Sequence, residues 1–332
     1  MTRSQEQGAS GVAPLAAIVG PTASGKSALG VWLAERLNGE VVACDSTQVY
    51  RHFDIGTAKP SREERRGIPH HLLDLLEPEE VFTAGDYPRR AEIVLGELRR
   101  RGKLPILTVG TGLYLRALLE GLADAPARSE DLRVRLAKRA RAHGAEYLHR
   151  LLGRLDPAAA KRIAPRDVPK LIRAIEVCLL AGQPISEIHR GGRTALAGFQ
   201  AVKVGLMPPR AALYQRIDSR VQEMLSKGWL EEVKTLLERG ISAEAKPFQF
   251  IGYRELRAHL AGELELEAAM AAIQQATRRY AKRQLTWFRR EGGVRWFEGF
   301  GDARDVRQEV LAFLELHVAP EAEIRARRAP SV

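Results

Sequence analysis

Gly20-Pro21-Thr22-Ala23-Ser24-Gly25-Lys26-Ser27 fits the pattern G-x-x-x-x-G-K-[ST], a loop whose backbone cradles phosphates. Its flanks are the ones the pattern needs. The apolar run Leu15-Ala16-Ala17-Ile18-Val19 before it reads as a buried strand, and residues 28–37 after it read as a helix. Gly20 and Gly25 allow the tight turn that aims successive N–H groups inward. The helix N-terminus adds the positive end of its dipole, so the concavity attracts an anion. Lys26 has the reach for terminal phosphates, and the Ser27 hydroxyl is a ligand for Mg²⁺. The eight residues Gly20, Pro21, Thr22, Ala23, Ser24, Gly25, Lys26 and Ser27 together therefore predict a polyphosphate or diphosphate site, without specifying ATP.

The strands and helices around the loop build a sheet. Residues 40–44 form a second short strand ending at Asp45-Ser46-Thr47-Gln48-Val49-Tyr50. A carboxylate at the C-terminal end of a strand beside the phosphate loop stands where open α/β sheets bind ligands. Asp45 there is read as a Mg²⁺ ligand through water, as a base, or as the cap of the next turn. A Gly/Pro-bounded loop follows, Asp54-Ile55-Gly56-Thr57-Ala58-Lys59-Pro60. His70 and His71 then precede an apolar stretch, and two adjacent histidines point in different directions on any regular element. A structural or substrate-lining role is therefore favoured over a metal pair. Residues 83–101 carry Tyr87, Ala91, Val94, Leu95 and Leu98 at helical spacing, with Thr83 as the expected cap and Gly102 as the stop. Residues 104–109 are a third buried strand, ending at Gly110-Thr111-Gly112. Alternating strands and helices with short joins predict a parallel sheet with right-handed crossovers.

From residue 124 to 193 the pattern changes to helical stretches rich in Ala, Leu and Arg, punctuated by prolines. This segment holds 15 Lys and Arg against 8 Asp and Glu, a large share of a net charge of +11 for the 332 residues. Such a balance favours nucleic acid or another polyanion as partner. Leu171, Ile172, Ile175 and Leu179 share one helix face, with Lys170 and Arg173 elsewhere on that helix. The sheet resumes at residues 201–206, and residues 210–237 read as one helix carrying Arg216, Asp218 and Arg220. A basic helix over 274–290 interleaves Arg278, Arg279, Lys282, Arg283, Arg289 and Arg290 with Tyr280, Trp287 and Phe288. That mixture suits RNA, because aromatic rings stack on bases while arginines meet phosphates. Residues 294–298 form the last strand.

The expected organisation is thus an α/β core of residues 13–123 and 198–317, a helical insertion over 124–197, and loose tails at 1–12 and 318–332. No apolar run approaches the roughly 18 residues that span a bilayer, and the polar start lacks the apolar centre of a signal peptide. Cys44 and Cys178 form no metal spacing and are expected as reduced core thiols of a cytoplasmic protein.

Six stretches taken in order resemble one family, the tRNA dimethylallyltransferases (tRNA isopentenyltransferases). They are the phosphate loop, Asp45 to Tyr50, Ile55 to Pro60, Arg173-Ala174-Ile175-Glu176, Gly252-Tyr253-Arg254-Glu255, and Tyr280 to Phe288. The chain departs from the family where Val109 stands in place of the usual first glycine of Gly-Gly-Thr. The resemblance implies a core like that of phosphate-loop kinases and transfer of a dimethylallyl group from dimethylallyl diphosphate. The acceptor is the exocyclic amine of the adenine immediately 3′ of the anticodon, in tRNAs reading codons that begin with U. It implies Asp45 as catalytic base, Thr111 as an aid in placing the adenine and Arg220 as an aid at the diphosphate. It also implies tRNA contacts at Asp45, Ser46, Thr47, Gln48, Thr111, Pro169, Lys170, Leu171, Ile172 and Arg173, with the insertion gripping the anticodon stem-loop. Mg²⁺ on Ser27 is the expected cofactor, a monomer the expected state, and no membrane is involved. Two rivals use the same loop: a kinase phosphorylating a small molecule with ATP, and a non-enzymatic RNA-binding switch. The basic insertion and the arginine-aromatic helix are features that a small substrate does not need.

Overall fold

The computed structural model describes residues 11–192 and 194–318. In chain order the first part runs β1 (Ala13–Val19), α1 (Lys26–Arg36), β2 (Gly39–Cys44), α2 (Arg62–Arg65), β3 (His70–His71), α3 (Asp86–Arg100), β4 (Leu104–Val109) and α4 (Gly112–Glu120). Five helices follow without a strand: α5 (Glu130–His143), α6 (Ala145–Leu155), α7 (Pro157–Arg162), α8 (Val168–Ala181) and α9 (Ile185–Ile188). The last part is β5 (Phe199–Met207), α10 (Arg210–Ser226), α11 (Trp229–Glu238), a 3-10 turn at Lys246–Gln249, α12 (Tyr253–Leu260), α13 (Leu266–Phe288), β6 (Val294–Glu298) and α14 (Arg304–Val318).

The six strands make one parallel sheet in the order β3-β2-β4-β1-β5-β6. Its inner strands are near-continuous apolar runs, as a sheet covered on both faces requires. One cluster packs Leu15, Ala17, Val42 and Leu107 beneath Tyr87, Leu95 and Leu98 of α3. The opposite face buries Ala16, Ile18 and Ile106 against Leu29 and Leu33 of α1 and Val310 and Leu314 of α14. Because β2, β4 and β1 are neighbours, their C-terminal ends deliver Asp45, Gly110-Thr111 and the phosphate loop side by side.

The chain divides into two compact units. One comprises the described residues up to Leu119 and from Leu196 onward; the other is Glu120–Ala195, where the expected insertion was 124–197. The helical unit has its own core, with Leu148, Leu152, Leu171, Ile172 and Ile175 at its centre. Within it Asp156 caps α7 through Ala159 N and also holds Ser186 N and Oγ.

Several element boundaries differ from the sequence expectation. The helix expected over 83–101 begins at Asp86, because Thr83 does not cap it: Thr83 N and Oγ1 both donate to the Asp86 carboxylate. The single helix expected over 210–237 is broken at Gly228, whose φ of 95° is left-handed, so α11 starts afresh at Trp229. The basic helix starts at Leu266, its first turns supplied by the Ala-rich stretch before Gln274. His70 and His71 form an edge strand, with His71 Nε2 2.7 Å from Glu40 Oε2. Among the described residues no group of three or more His, Cys, Asp or Glu could hold a metal. Val318 closes α14 rather than opening a tail. The expectations for residues 1–10 and 319–332 lie outside the described residues. Cys44 and Cys178 are buried free thiols.

Candidate active site

The phosphate loop has the geometry its sequence calls for. Gly25, at φ 88°, turns the chain into α1 and stands at its N-cap. Ser24 is fully buried, and its hydroxyl finds no hydrogen-bond partner among the described residues. The Lys26 ammonium folds back over the loop and donates to Gly20 O at 3.0 Å and Pro21 O at 2.7 Å. Burial is the main cause that lowers its pKa to about 7. Asp45 opposes the shift, and the Arg220 charge adds to it.

Asp45 is held by one oxygen only. Its Oδ1 accepts Thr47 N at 2.8 Å and Thr47 Oγ1 at 2.7 Å. Its Oδ2 receives no hydrogen bond from the described residues and lies against Gly110, where a Cβ would stand 1.8 Å from it. Position 110 must therefore be glycine for the carboxylate to point this way. Val109, the departure from the family pattern, ends β4 opposite Cys44, is fully buried and is not among the residues of positive φ. An ordinary strand conformation serves there, and no glycine is required. Thr111 is half-buried. Its hydroxyl accepts Ser46 N at 3.0 Å and donates to Ser46 Oγ at 3.1 Å, tying the loop after β4 to the loop after β2.

Helices α10 and α13 close the site. Arg220 makes no hydrogen bond among the described residues, and burial lowers its pKa. Gln284, within the Tyr280 to Phe288 stretch, is a bridge. Its Oε1 accepts Thr22 N at 2.7 Å, and its Nε2 donates to Gly110 O at 2.8 Å. Tyr280 Oη donates to the same carbonyl at 3.2 Å. The result is a cleft of two chambers. A polar one of about 370 Å³ is lined by the phosphate loop, Asp45, Gln48, Arg216 and Arg220. A more apolar one of about 360 Å³ shares Thr22, Asp45, Arg220 and Tyr280 with it and adds Ile217, Val221, Met224, Phe250 and Ile251. A bound anion and an apolar group can thus occupy neighbouring spaces with a carboxylate between them.

A family model described as IPP transferase matches residues 48–291. The chain belongs to the IPP transferase family. It is 51% identical over 298 residues to a tRNA dimethylallyltransferase of Solibacter usitatus (strain Ellin6076), covering 90% of this chain and 97% of that one. A tRNA dimethylallyltransferase of Koribacter versatilis (strain Ellin345) is 52% identical over the same shares. Among solved structures, the full-length tRNA isopentenylpyrophosphate transferase of Bacillus halodurans is 39% identical, with a TM-score of 0.69 over 94% of this chain and 99% of that one. A eukaryotic dimethylallyltransferase acting on tRNA is 27% identical, with a TM-score of 0.77 over 93% and 83%.

In this IPP transferase the lowered Lys26 pKa is expected to make diphosphate binding depend on pH. A diphosphate binds the charged form, and in the free protein that form is lost as pH rises through about 7. Affinity is therefore full below pH 7 and weakens toward tenfold per pH unit above it, from this group alone. Calorimetric titration of dimethylallyl diphosphate between pH 6 and 9 measures the slope; an affinity flat across that range would mean that Lys26 does not pair with the ligand.

The expected contacts at 169–173 belong to the helical unit. Leu171 is 0% and Ile172 7% exposed, and both side chains pack into that unit's core. Arg173 is engaged as well. It donates to Glu176 Oε2 at 2.7 Å and to Pro126 O at 3.0 Å, while Arg133 Nε and Ser129 N hold Glu176 Oε1. Glu176 is fully buried, so its two arginines are structural. Pro169 stands in the first turn of α8, and Lys170 keeps 71% of its side chain exposed beside Asp167. We expect Lys170→Ala to lower the salt slope of tRNA binding by about 0.7 to 1, one phosphate contact. Arg173→Ala is instead expected to destabilise the helical unit by about 1–3 kcal/mol, because a buried carboxylate loses one of its partners. Affinity over a salt series, with a melting curve for each variant, separates the two effects.

Proposed function

We infer that this protein transfers a dimethylallyl group from dimethylallyl diphosphate to the exocyclic amine of the adenine immediately 3′ of the anticodon, in tRNAs reading codons that begin with U. The observation that carries the reading is the unengaged Asp45 Oδ2, placed where a cationic phosphate chamber meets an apolar one. The diphosphate lies on the N–H groups of the loop, with Lys26 and Arg220 about it, and the allyl carbon faces the apolar chamber. The adenine nitrogen forms its bond to the allylic carbon as the carbon–oxygen bond breaks. The electron pair leaves with the diphosphate, and the amine proton passes to Asp45 Oδ2. Adenine's amine is a poor nucleophile because its lone pair is delocalised, which is why a positioned base helps. The base must leave its stack to enter the cleft.

Ser27 is exposed on the first turn of α1 and lines the polar chamber. One hydroxyl with phosphate oxygens and waters suits Mg²⁺, which seldom needs an all-protein cage, so this donor set fits. When bound there, the ion adds positive charge against the departing diphosphate. Contact with tRNA is supported by Arg116, Lys282, Arg283 and Arg290, which with Thr286 and Trp287 line an open cavity of about 310 Å³. No helix among the described residues is long and apolar enough to cross a membrane. Incubation with tRNA, Mg²⁺ and labelled dimethylallyl diphosphate, followed by mapping of the label, tests the reading. Label on the adenine 3′ of the anticodon supports it; ATP consumption with a small acceptor and no labelled tRNA would return the kinase alternative.

A further inference from the structure

The loop that brings Thr57 and Ala58 into both chambers is held by side chains of α11 and α12. Glu232, half-buried on α11, turns its carboxylate onto consecutive peptide groups. Its Oε2 accepts Ile55 N at 2.8 Å and Asp54 N at 3.1 Å. Its Oε1 accepts Tyr253 Oη at 2.6 Å, and Tyr253 Oη in turn accepts Gly56 N at 3.1 Å. Trp229 packs directly on Gly56, where a Cβ would stand 2.2 Å from the indole Nε1. At the other end Lys59, its side chain 3% exposed, reaches Asp54 Oδ1, Asp74 Oδ1 and Tyr50 O. Three successive N–H groups thus find acceptors on elements far away in sequence, in place of a strand neighbour.

The loop's fixed carbonyls act on the site through Gln48. Gln48 Nε2 donates to Thr57 O at 3.2 Å and to Ala58 O at 3.1 Å. Reversing the amide would set its oxygen against two carbonyls and lose both bonds, so the orientation is chemically determined. Gln48 lines the polar chamber together with Asp45, and with Nε2 engaged its Oε1 is the acceptor it has left. Such an acceptor suits a base amine and not a base carbonyl.

We propose that Glu232 is a positioning residue for the transfer reaction, holding the 54–58 loop so that its carbonyls orient Gln48 toward the incoming amine. The proposal rests on the function inferred above. Neither Glu232 nor Tyr253 touches substrate; they act through the loop.

The test combines hydrogen exchange with single-turnover kinetics at saturating tRNA and dimethylallyl diphosphate. Glu232→Ala is expected to raise amide exchange at residues 54–56 at least about tenfold. It should slow the chemical step about 10- to 100-fold, the loss expected from a slightly misplaced group, while diphosphate affinity stays within about threefold. Tyr253→Phe, which removes one oxygen, should slow it about 3- to 10-fold. Glu232→Gln should recover most of the rate, because its carbonyl still accepts from Asp54 and Ile55. Glu232→Ala combined with Gln48→Ala should be no slower than the slower single variant, the non-additivity of residues acting in series. Wild-type rates in both Glu232→Ala and Tyr253→Phe, or multiplying effects of Glu232→Ala and Gln48→Ala, overturn the proposal. If Glu232→Ala does not fold, the Tyr253→Phe rate and its exchange at Gly56 decide. Normal exchange protection in a wild type that modifies no tRNA would count against the inferred reaction, not against the clamp.

Discussion

Replacing Asp45 by asparagine lowers the single-turnover rate of dimethylallyl transfer by roughly 10²- to 10⁴-fold, the usual contribution of a positioned base. The substitution is nearly isosteric, and that makes the result interpretable. The asparagine oxygen can keep the two bonds that Asp45 Oδ1 accepts from Thr47 N and Oγ1. The amide nitrogen then occupies the Oδ2 position against Gly110, where it has no lone pair to accept a proton. Fold and loop geometry persist while the base is lost, so tRNA affinity should change by far less than the rate. Rapid-quench measurement with enzyme in excess over tRNA isolates the chemical step. Full activity in the asparagine variant would remove Asp45 from the role of base.

The second large effect is at Lys26. Lys26→Ala should reduce transfer by at least about 10³-fold, if the proposed pairing of this charged donor with the departing diphosphate holds in a poorly solvated site. The ligand-free protein keeps this ammonium in an uncomfortable place. Burial and the neighbouring Arg220 disfavour its charge, with Asp45 as the compensating anion, and only two backbone carbonyls of the loop receive it. A diphosphate bound as proposed would relieve that tension, so binding and catalysis are expected to depend on the amine whereas the fold is not. The melting temperature should stay within a few degrees of wild type while affinity for dimethylallyl diphosphate collapses. A variant that still transfers at the wild-type rate would show that the loop's N–H groups and Arg220 suffice.

The phosphate loop, the five longer strands and the basic character of the 124–193 segment were legible in the chain because each is a local property. A glycine-permitted turn, a run of buried β-branched residues and a charge balance are written within one stretch. The same holds for Asp45, which announces itself by ending a strand next to the loop. The two-residue strand His70–His71 carried no such signal, since its pairing is decided by Val41 and Val42 on β2. The break at Gly228 had a local mark in its glycine, but the alternation of apolar residues on both sides concealed it.

What only the tertiary structure decided is the partner of each polar group. The order β3-β2-β4-β1-β5-β6 sets Asp45, Gly110 and the phosphate loop together, and no single strand determines it. Gln284 satisfies Thr22 N across 262 residues, and Glu232 satisfies Ile55 N across 177. Arg173, whose i,i+3 spacing already allowed a tie to Glu176 across one turn, makes that bond to a carboxylate which the packing buries, and Leu171 and Ile172 turn inward. Sequence determines which residues can donate, accept or carry charge, because that is covalent chemistry. Whether a given group meets substrate or another part of the protein depends on which helix packs over which loop, and buried polar groups are then compelled to pair with whatever the packing brings within reach.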